Sequence, residues 1–116
     1  MKPIEISERP WGKYTVLRED SGYKLKIIEV NKGQRLSYQF HNKRSEVWII
    51  VEGSCEVTID GNKKKLVYGD SIKINKKSKH RIYNNSNSIL KFIEVQTGSY
   101  FGEDDIIRIE DDYNRS

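Results

Sequence analysis

Turn signals recur along this chain roughly every six to twelve residues, and the segments between them are short, rich in β-branched and aromatic side chains, and alternating. That punctuation leaves little room for helices: no segment sustains a helical period beyond about two turns. The turns are chemically explicit. Glu19-Asp20-Ser21-Gly22 and Asn31-Lys32-Gly33 bracket Tyr23 to Val30, and Asp60-Gly61 is the strongest hairpin dipeptide present. Further strands are expected over Tyr14–Arg18, Arg35–His41, Glu46–Val51, Cys55–Ile59, Lys65–Tyr68, Ser71–Ile74, His80–Tyr83 and Leu90–Gln96. Residues 1–8 read as a loose lead-in. Gly102-Glu103-Asp104-Asp105 reads as a short helical turn or the start of a last strand, before Ile106 to Asp112. About nine or ten such strands predict an all-β sandwich or barrel.

The 116 residues, 35% hydrophobic and 33% charged, support one domain over 1–116 with a lean core and a charged surface. Strands that bury one face each suit that balance. No apolar run reaches the ~18 residues of a membrane span, and no cationic start leads into an apolar stretch, so neither a membrane partner nor a secretory signal is expected. The net charge of +4 would permit an acidic partner. The basic residues are dispersed, however, and Asn62-Lys63-Lys64-Lys65 follows a turn as a solvated hairpin end. Nucleic acid is therefore not expected, whereas a phosphorylated small molecule would use the same potential with fewer contacts. Cys55 is the single cysteine, which excludes a disulfide framework or a cysteine zinc cluster and fits a reducing cytoplasm.

The chemistry concentrates in two segments, Gly33 to Gly53 and Gly69 to Asn84, which hold both of the chain's 2 histidines, His41 and His80. Gln39 and His41 differ by two positions and so leave the same face of one strand. Glu46 follows a short turn and opens the neighbouring strand, and His80 arrives from elsewhere in the barrel. Two imidazoles, a carboxylate and an amide oxygen make a mixed nitrogen–oxygen site that suits Zn, Fe, Mn, Co or Ni. Alternation places Arg35, Ser37, Gln39 and His41 together, opposite Leu36, Tyr38 and Phe40. Polar groups pointing inward together predict a lined cavity.

The spacing of Gly33, Gln39, His41, Glu46 and Gly53, then Gly69, Asn75, Lys77, His80 and Asn84, resembles the paired motifs of the cupin superfamily. Gln39 stands where the superfamily has a first histidine, Asn75 where it has a proline, and Lys77 where it has a second glycine. RPWGKY near the start, GQRLSYQFHNKRSEVW in the middle and FIEVQTGSYFGEDDIIRIEDDYNR at the end resemble, from about Arg9 to Arg115, the cupin domain of type II mannose-6-phosphate isomerases. That domain usually forms the C-terminal part of a bifunctional enzyme fused to a mannose-1-phosphate guanylyltransferase.

The resemblance implies a cupin-type double-stranded β-helix, or jelly-roll barrel, that works as a homodimer. It implies a divalent metal, Zn first, on Gln39, His41, Glu46 and His80. The implied reaction interconverts mannose 6-phosphate and fructose 6-phosphate, with the phosphorylated sugar as substrate. Glu94, Lys26 or an unengaged His80 are the candidate bases. Arg35 and Arg108 are candidates for binding phosphate or developing negative charge. Asn42 and Lys43 replace two family histidines, and Val47 replaces the one after the glutamate. With no Gly-rich phosphate loop and no room for a nucleotidyltransferase domain, guanylyl transfer is not expected of the chain. The competing readings are a non-catalytic sugar- or metal-binding cupin, an epimerase acting on nucleotide sugars, and a metal-dependent dioxygenase.

Overall fold

The computed structural model describes residues 4–113. The first three residues of the expected lead-in, and Arg115 at the end of the resemblance, lie outside them. The described chain forms β1 (Glu5–Arg9), β2 (Gly12–Asp20), β3 (Tyr23–Val30), β4 (Tyr38–Phe40), β5 (Arg44–Glu52), β6 (Ser54–Ile59), β7 (Asn62–Val67), β8 (Ser71–Ile74), β9 (His80–Tyr83), β10 (Leu90–Gly98), a 3-10 turn (Glu103–Asp105) and β11 (Ile107–Glu110). The strands build two antiparallel sheets, ordered β1-β2-β3-β10-β5-β8 and β11-β4-β9-β6-β7. This is the expected all-β, cupin-type jelly roll. Among the described residues, no helix is long and apolar enough to cross a membrane.

The inward rows of the larger sheet explain how a lean core and a polar site share one barrel. Phe92 of β10 lies between Ile28 and Ile50, the next inward rung sets Glu94 between Lys26 and Trp48, and the next sets Gln96 between Lys24 and Glu46. All of these side chains are buried. One end of each strand is therefore apolar and closes the barrel with Val30, Ile82, Leu90 and Val57. Burying such side chains stabilises the fold by about 1.5–3 kcal/mol each. The other end is polar and lines the site.

Two segments depart from the sequence reading. Residues 5–8 are not a loose lead-in: with Arg9 they pair with β2, from Glu5↔Val16 to Arg9↔Gly12. This edge strand is held by its ladder and stays mostly exposed, so it lacks the buried alternation that would mark it. The strand expected over Arg35–His41 shrinks to Tyr38–Phe40. Arg35 makes an isolated bridge to Tyr83, and the Leu36 N–H donates to the Ile82 carbonyl at 3.0 Å. The register against β9 slips by one residue between Arg35↔Tyr83 and Gln39↔His80, which breaks the alternation: Leu36 and Ser37 both line the cavity.

The motif positions have distinct structural uses. A Cβ on Gly53 would stand 2.7 Å from the Ile89 carbonyl oxygen, at a φ of 86°, so only glycine fits. Asn84 is fully buried and ties the end of β9 to its surroundings, donating to the Val30 and Ser88 carbonyls at 2.9 and 2.8 Å. Lys77, where the superfamily has glycine, keeps a left-handed φ of 67°. Its N–H donates to the His41 carbonyl at 2.7 Å and so joins the two motif segments.

Candidate metal centre and its cavity

Three buried side chains converge at the polar end of the barrel. His41 follows β4, Glu46 lies on β5 and His80 opens β9, and one ligand atom from each lies within 4.8 Å of the others. Each imidazole is fixed from behind, His41 Nδ1 at 3.2 Å from the Asp105 carbonyl and His80 Nδ1 at 2.9 Å from the Ser78 carbonyl. A carbonyl only accepts, so both rings carry Nδ1–H and turn Nε2 inward, with a lone pair on that of His80. The buried His80 Nε2 has no hydrogen-bond partner. Desolvation lowers the pKa of His80 against the opposing pull of Glu46, which keeps that lone pair available.

Glu46 is engaged on both oxygens. Its Oε1 accepts from Trp48 Nε1 at 2.9 Å, and its Oε2 lies 2.9 Å from Arg44 Nε and 3.2 Å from His41 Nε2. Burial alone would raise its carboxyl, but contact with His41 and the Arg44 charge outweigh burial and hold it well below the ordinary range. His41 Nε2 and Glu46 Oε2, 3.2 Å apart, need either a proton between them or a cation beside them. Arg44 provides one, its Nη2 lying 3.3 Å from His41 Nε2. A divalent ion would satisfy the same pair and the orphaned His80 Nε2 at once, so the donor set fits a metal. Gln39 stands opposite His80 in register, lines the cavity beside the cluster, and takes the Ser37 hydroxyl on its Oε1 at 2.9 Å.

The cavity beside this cluster measures about 60 Å³. Its wall includes the cations Arg9, Lys26, Arg44 and Arg108 and the carboxyls Glu94 and Glu103. Lys26 is buried, with Nζ 4.1 Å above the Tyr14 ring and 3.4 Å from Glu103 Oε1. Glu94 accepts from Trp48 Nε1 at 3.0 Å and from Gln96 Nε2 at 2.7 Å. Burial first, and then the Glu46 charge, push its carboxyl up to about 8. That shift favours the protonated, hydrogen-bond-donating carboxyl at neutral pH and brings this candidate base close to working pH. Arg108 reaches the cavity from β11, in register with Gln39.

Arg35 is not brought to this site. Its guanidinium is clamped by Asp112 at 2.7 and 2.9 Å in a separate surface pocket, because the register slip before β4 breaks the alternation that would place it with Gln39. Asn42 and Lys43 sit on the turn before β5 with exposed side chains. Their N–H groups donate to the Asp105 carboxylate at 3.2 and 2.9 Å. Val47, half-buried, alternates with the buried Glu46.

Four residues of the site went unnoticed in the sequence. Arg44 and Trp48 flank Glu46 at two-residue spacing on one strand, and period-two counting from Glu46 finds both. Glu103 and Asp105 carry no local signal, since a 3-10 turn of acidic residues reads equally well as surface.

A family described as "Mannose-6-phosphate isomerase C-terminal" matches residues 4–111. The alginate biosynthesis protein AlgA of Pseudomonas fluorescens is 46% identical over 108 residues, covering 93% of this chain and 22% of that protein. A mannose-1-phosphate guanylyltransferase of Escherichia coli K12 is 43% identical over 107 residues, covering 92% of this chain and 22% of that protein. The chain thus spans about a fifth of the length of the curated relatives it matches. A conserved protein with a double-stranded β-helix domain from Klebsiella pneumoniae superposes with a TM-score of 0.74 at 17% identity, covering 95% of this chain and 89% of that one. That likeness concerns the fold alone.

These names correct the function expected from sequence. Interconversion of mannose 6-phosphate and fructose 6-phosphate is an aldose–ketose isomerisation, whereas relatives at 43% identity are named for guanylyl transfer to mannose 1-phosphate. The same finding sets aside the exclusion of guanylyl transfer drawn from the chain's length. The relatives are enzymes, and the expected isomerase does not stand.

Proposed function

The chain belongs to the mannose-6-phosphate isomerase C-terminal family, and on that premise we propose that it is the metal-holding, mannose-phosphate-binding domain of a mannose-1-phosphate guanylyltransferase-type enzyme. The observation that carries this reading is the 43–46% identity along nearly the whole chain to one part of proteins so named or named for alginate biosynthesis. The cavity supplies suitable chemistry. Lys26, Arg44 and Arg108 offer the charged donors that recognise phosphate. His41, Glu46, His80 and the Gln39 amide would hold a divalent ion, with Zn first and Co, Mn, Ni or Fe admissible for a nitrogen–oxygen set. Bound there, the ion would polarise and orient a sugar oxygen as a Lewis acid. The protonated Glu94 would donate a hydrogen bond from the cavity floor, held in place by Trp48 and Gln96.

In guanylyl transfer, the phosphate of mannose 1-phosphate takes a guanylyl unit from GTP as pyrophosphate leaves. The role proposed for this barrel is to hold the sugar phosphate. A homodimer would cover the exposed edge strand β1 and its approach, where Ile6 and the preceding Ile4 are 58% and 63% exposed. A reducing compartment such as the cytoplasm suits the buried free thiol of Cys55.

Three measurements on the purified protein test this: metal content, calorimetric binding of mannose 1-phosphate with and without added Zn, and formation of GDP-mannose from GTP. Stoichiometric metal together with saturable mannose 1-phosphate binding is the expected result. No binding of the sugar phosphate in either metal state would overturn the reading.

A further inference from the structure

We propose that Glu103 is the resident occupant of an anion subsite formed by Lys26 and Arg44, and that a phosphorylated ligand enters by displacing it. The identity of the sugar rests on the mannose-phosphate reading above; the subsite does not.

Lys26 and Arg44 are each only 4% exposed through their side chains, and the Glu103 carboxylate faces both, at 3.4 and 3.8 Å. Buried cations require a counter-charge; Glu46 meets Arg44 on one side at 2.9 Å, and Glu103 faces both cations from outside, with 39% of its own side chain still in solvent. The fit is loose. Charge-assisted bonds of this kind close to about 2.7–2.9 Å, and the buried Arg44 Nη1 has no hydrogen-bond partner at all. A phosphate offers more acceptor oxygens and a second negative charge, so it could engage both cations where one carboxylate does not.

Space leads to the same conclusion. The cavity of about 60 Å³ holds a few waters, whereas pockets that enclose small-molecule ligands run to roughly 300–1,000 Å³. A hexose phosphate does not fit a space of that size, and the half-exposed Glu103 is one of the side chains that wall it.

The anchoring of the turn is separate from the group that must leave. The Asp105 carboxylate accepts the Asn42 and Lys43 N–H groups, and its carbonyl receives His41 Nδ1. Gly102 caps the turn without a side-chain bond. The Glu103 side chain can therefore swing out while Asp105 keeps the turn and His41 in place. Glu103 would then set affinity and select for ligands whose charge exceeds that of a carboxylate.

The test is calorimetric titration with inorganic phosphate and with mannose 1-phosphate. Chelator-treated protein is used so that no bound ion reports instead of the subsite. Wild type, Glu103→Gln and the double variant Glu103→Gln with Lys26→Met are compared. Phosphate should bind Glu103→Gln about tenfold more tightly than wild type, and the added Lys26→Met should abolish the gain. Equal or weaker phosphate binding by Glu103→Gln, or no phosphate binding by either protein, overturns the proposal and leaves Glu103 as a structural ion pair. Tighter phosphate binding without any mannose 1-phosphate binding upholds the subsite and removes the sugar assignment. Mannose 1-phosphate binding that Glu103→Gln fails to tighten removes this inference alone.

Discussion

Glu46 and Glu94 share one hydrogen-bond donor: Trp48 Nε1 lies 2.9 Å from an oxygen of the first and 3.0 Å from an oxygen of the second. The two buried carboxyls nevertheless titrate far apart: His41 and Arg44 hold Glu46 well below the ordinary range, whereas burial and the Glu46 charge push Glu94 up to about 8. Their opposite protonation states fix the electrostatics of the cavity.

A pH dependence of stability follows. Glu94, raised to about 8 from 4.5, keeps in the folded state a proton that the unfolded chain releases. Its contribution is full below about 4.5 and is lost progressively as pH rises towards about 8, beyond which the slope ends. Glu46, held low, acts in the opposite sense, and its contribution is lost as pH falls through the acid range. In chelator-treated protein, Glu94→Gln should therefore gain on wild type between pH 5 and 8, by an amount on the order of a few kcal/mol. Urea denaturation at both pH values measures this. Parallel stability curves for the two proteins would contradict it.

Trp48→Phe keeps the apolar ring against Phe92 but removes the N–H that both carboxyls use. A loss of about 1–3 kcal/mol is expected, the cost of leaving buried acceptors without their donor. Chemical denaturation of the metal-free protein checks it, and an unchanged midpoint would show that the shared bond is energetically idle.

Metal loading should stabilise the fold by about 2.7 kcal/mol at a hundredfold excess over Kd. His80→Ala removes the orphaned Nε2 and should abolish most of that gain, and His41→Ala should do the same. A thermal melt with and without Zn gives the shift, and circular dichroism verifies that the strands persist. Full metal-induced stabilisation in His80→Ala would remove His80 from the ligand set.

Lys77 holds a left-handed backbone at φ 67° where glycine would be unstrained. Relief of that conformation is worth about 1 kcal/mol, so Lys77→Gly should raise the melting temperature by a few degrees without altering metal content. The added chain freedom of glycine limits the gain. A lower melting temperature would mean that the turn is not strained.

Much of the barrel is legible in the sequence because turn chemistry is local. Asp60-Gly61 takes two positive φ values, 48° and 84°, as a tight hairpin requires. His80–Tyr83 and Ser71–Ile74 fall where alternation and flanking turns place them. What stays hidden is set by tertiary structure. Arg35 follows its strand pattern on paper, yet an isolated bridge to Tyr83 turns it outward to Asp112. Glu103 reaches Lys26 across 77 positions of sequence, a distance over which no periodicity carries information. The sequence also marks the His41, Glu46 and His80 cluster while leaving out Arg44, the charge that most shapes it.

The ligand atoms of the candidate centre do not belong to one sheet. His80, and His41 at the end of β4, come from the five-stranded layer, and Glu46 comes from the six-stranded one. A cation held by all three is therefore a rivet between the two leaves of the barrel, placed at the end that the apolar core does not reach. Such an ion would add a third tie between the leaves at a point where the contacts of His41 with Glu46 and Arg44 already join them.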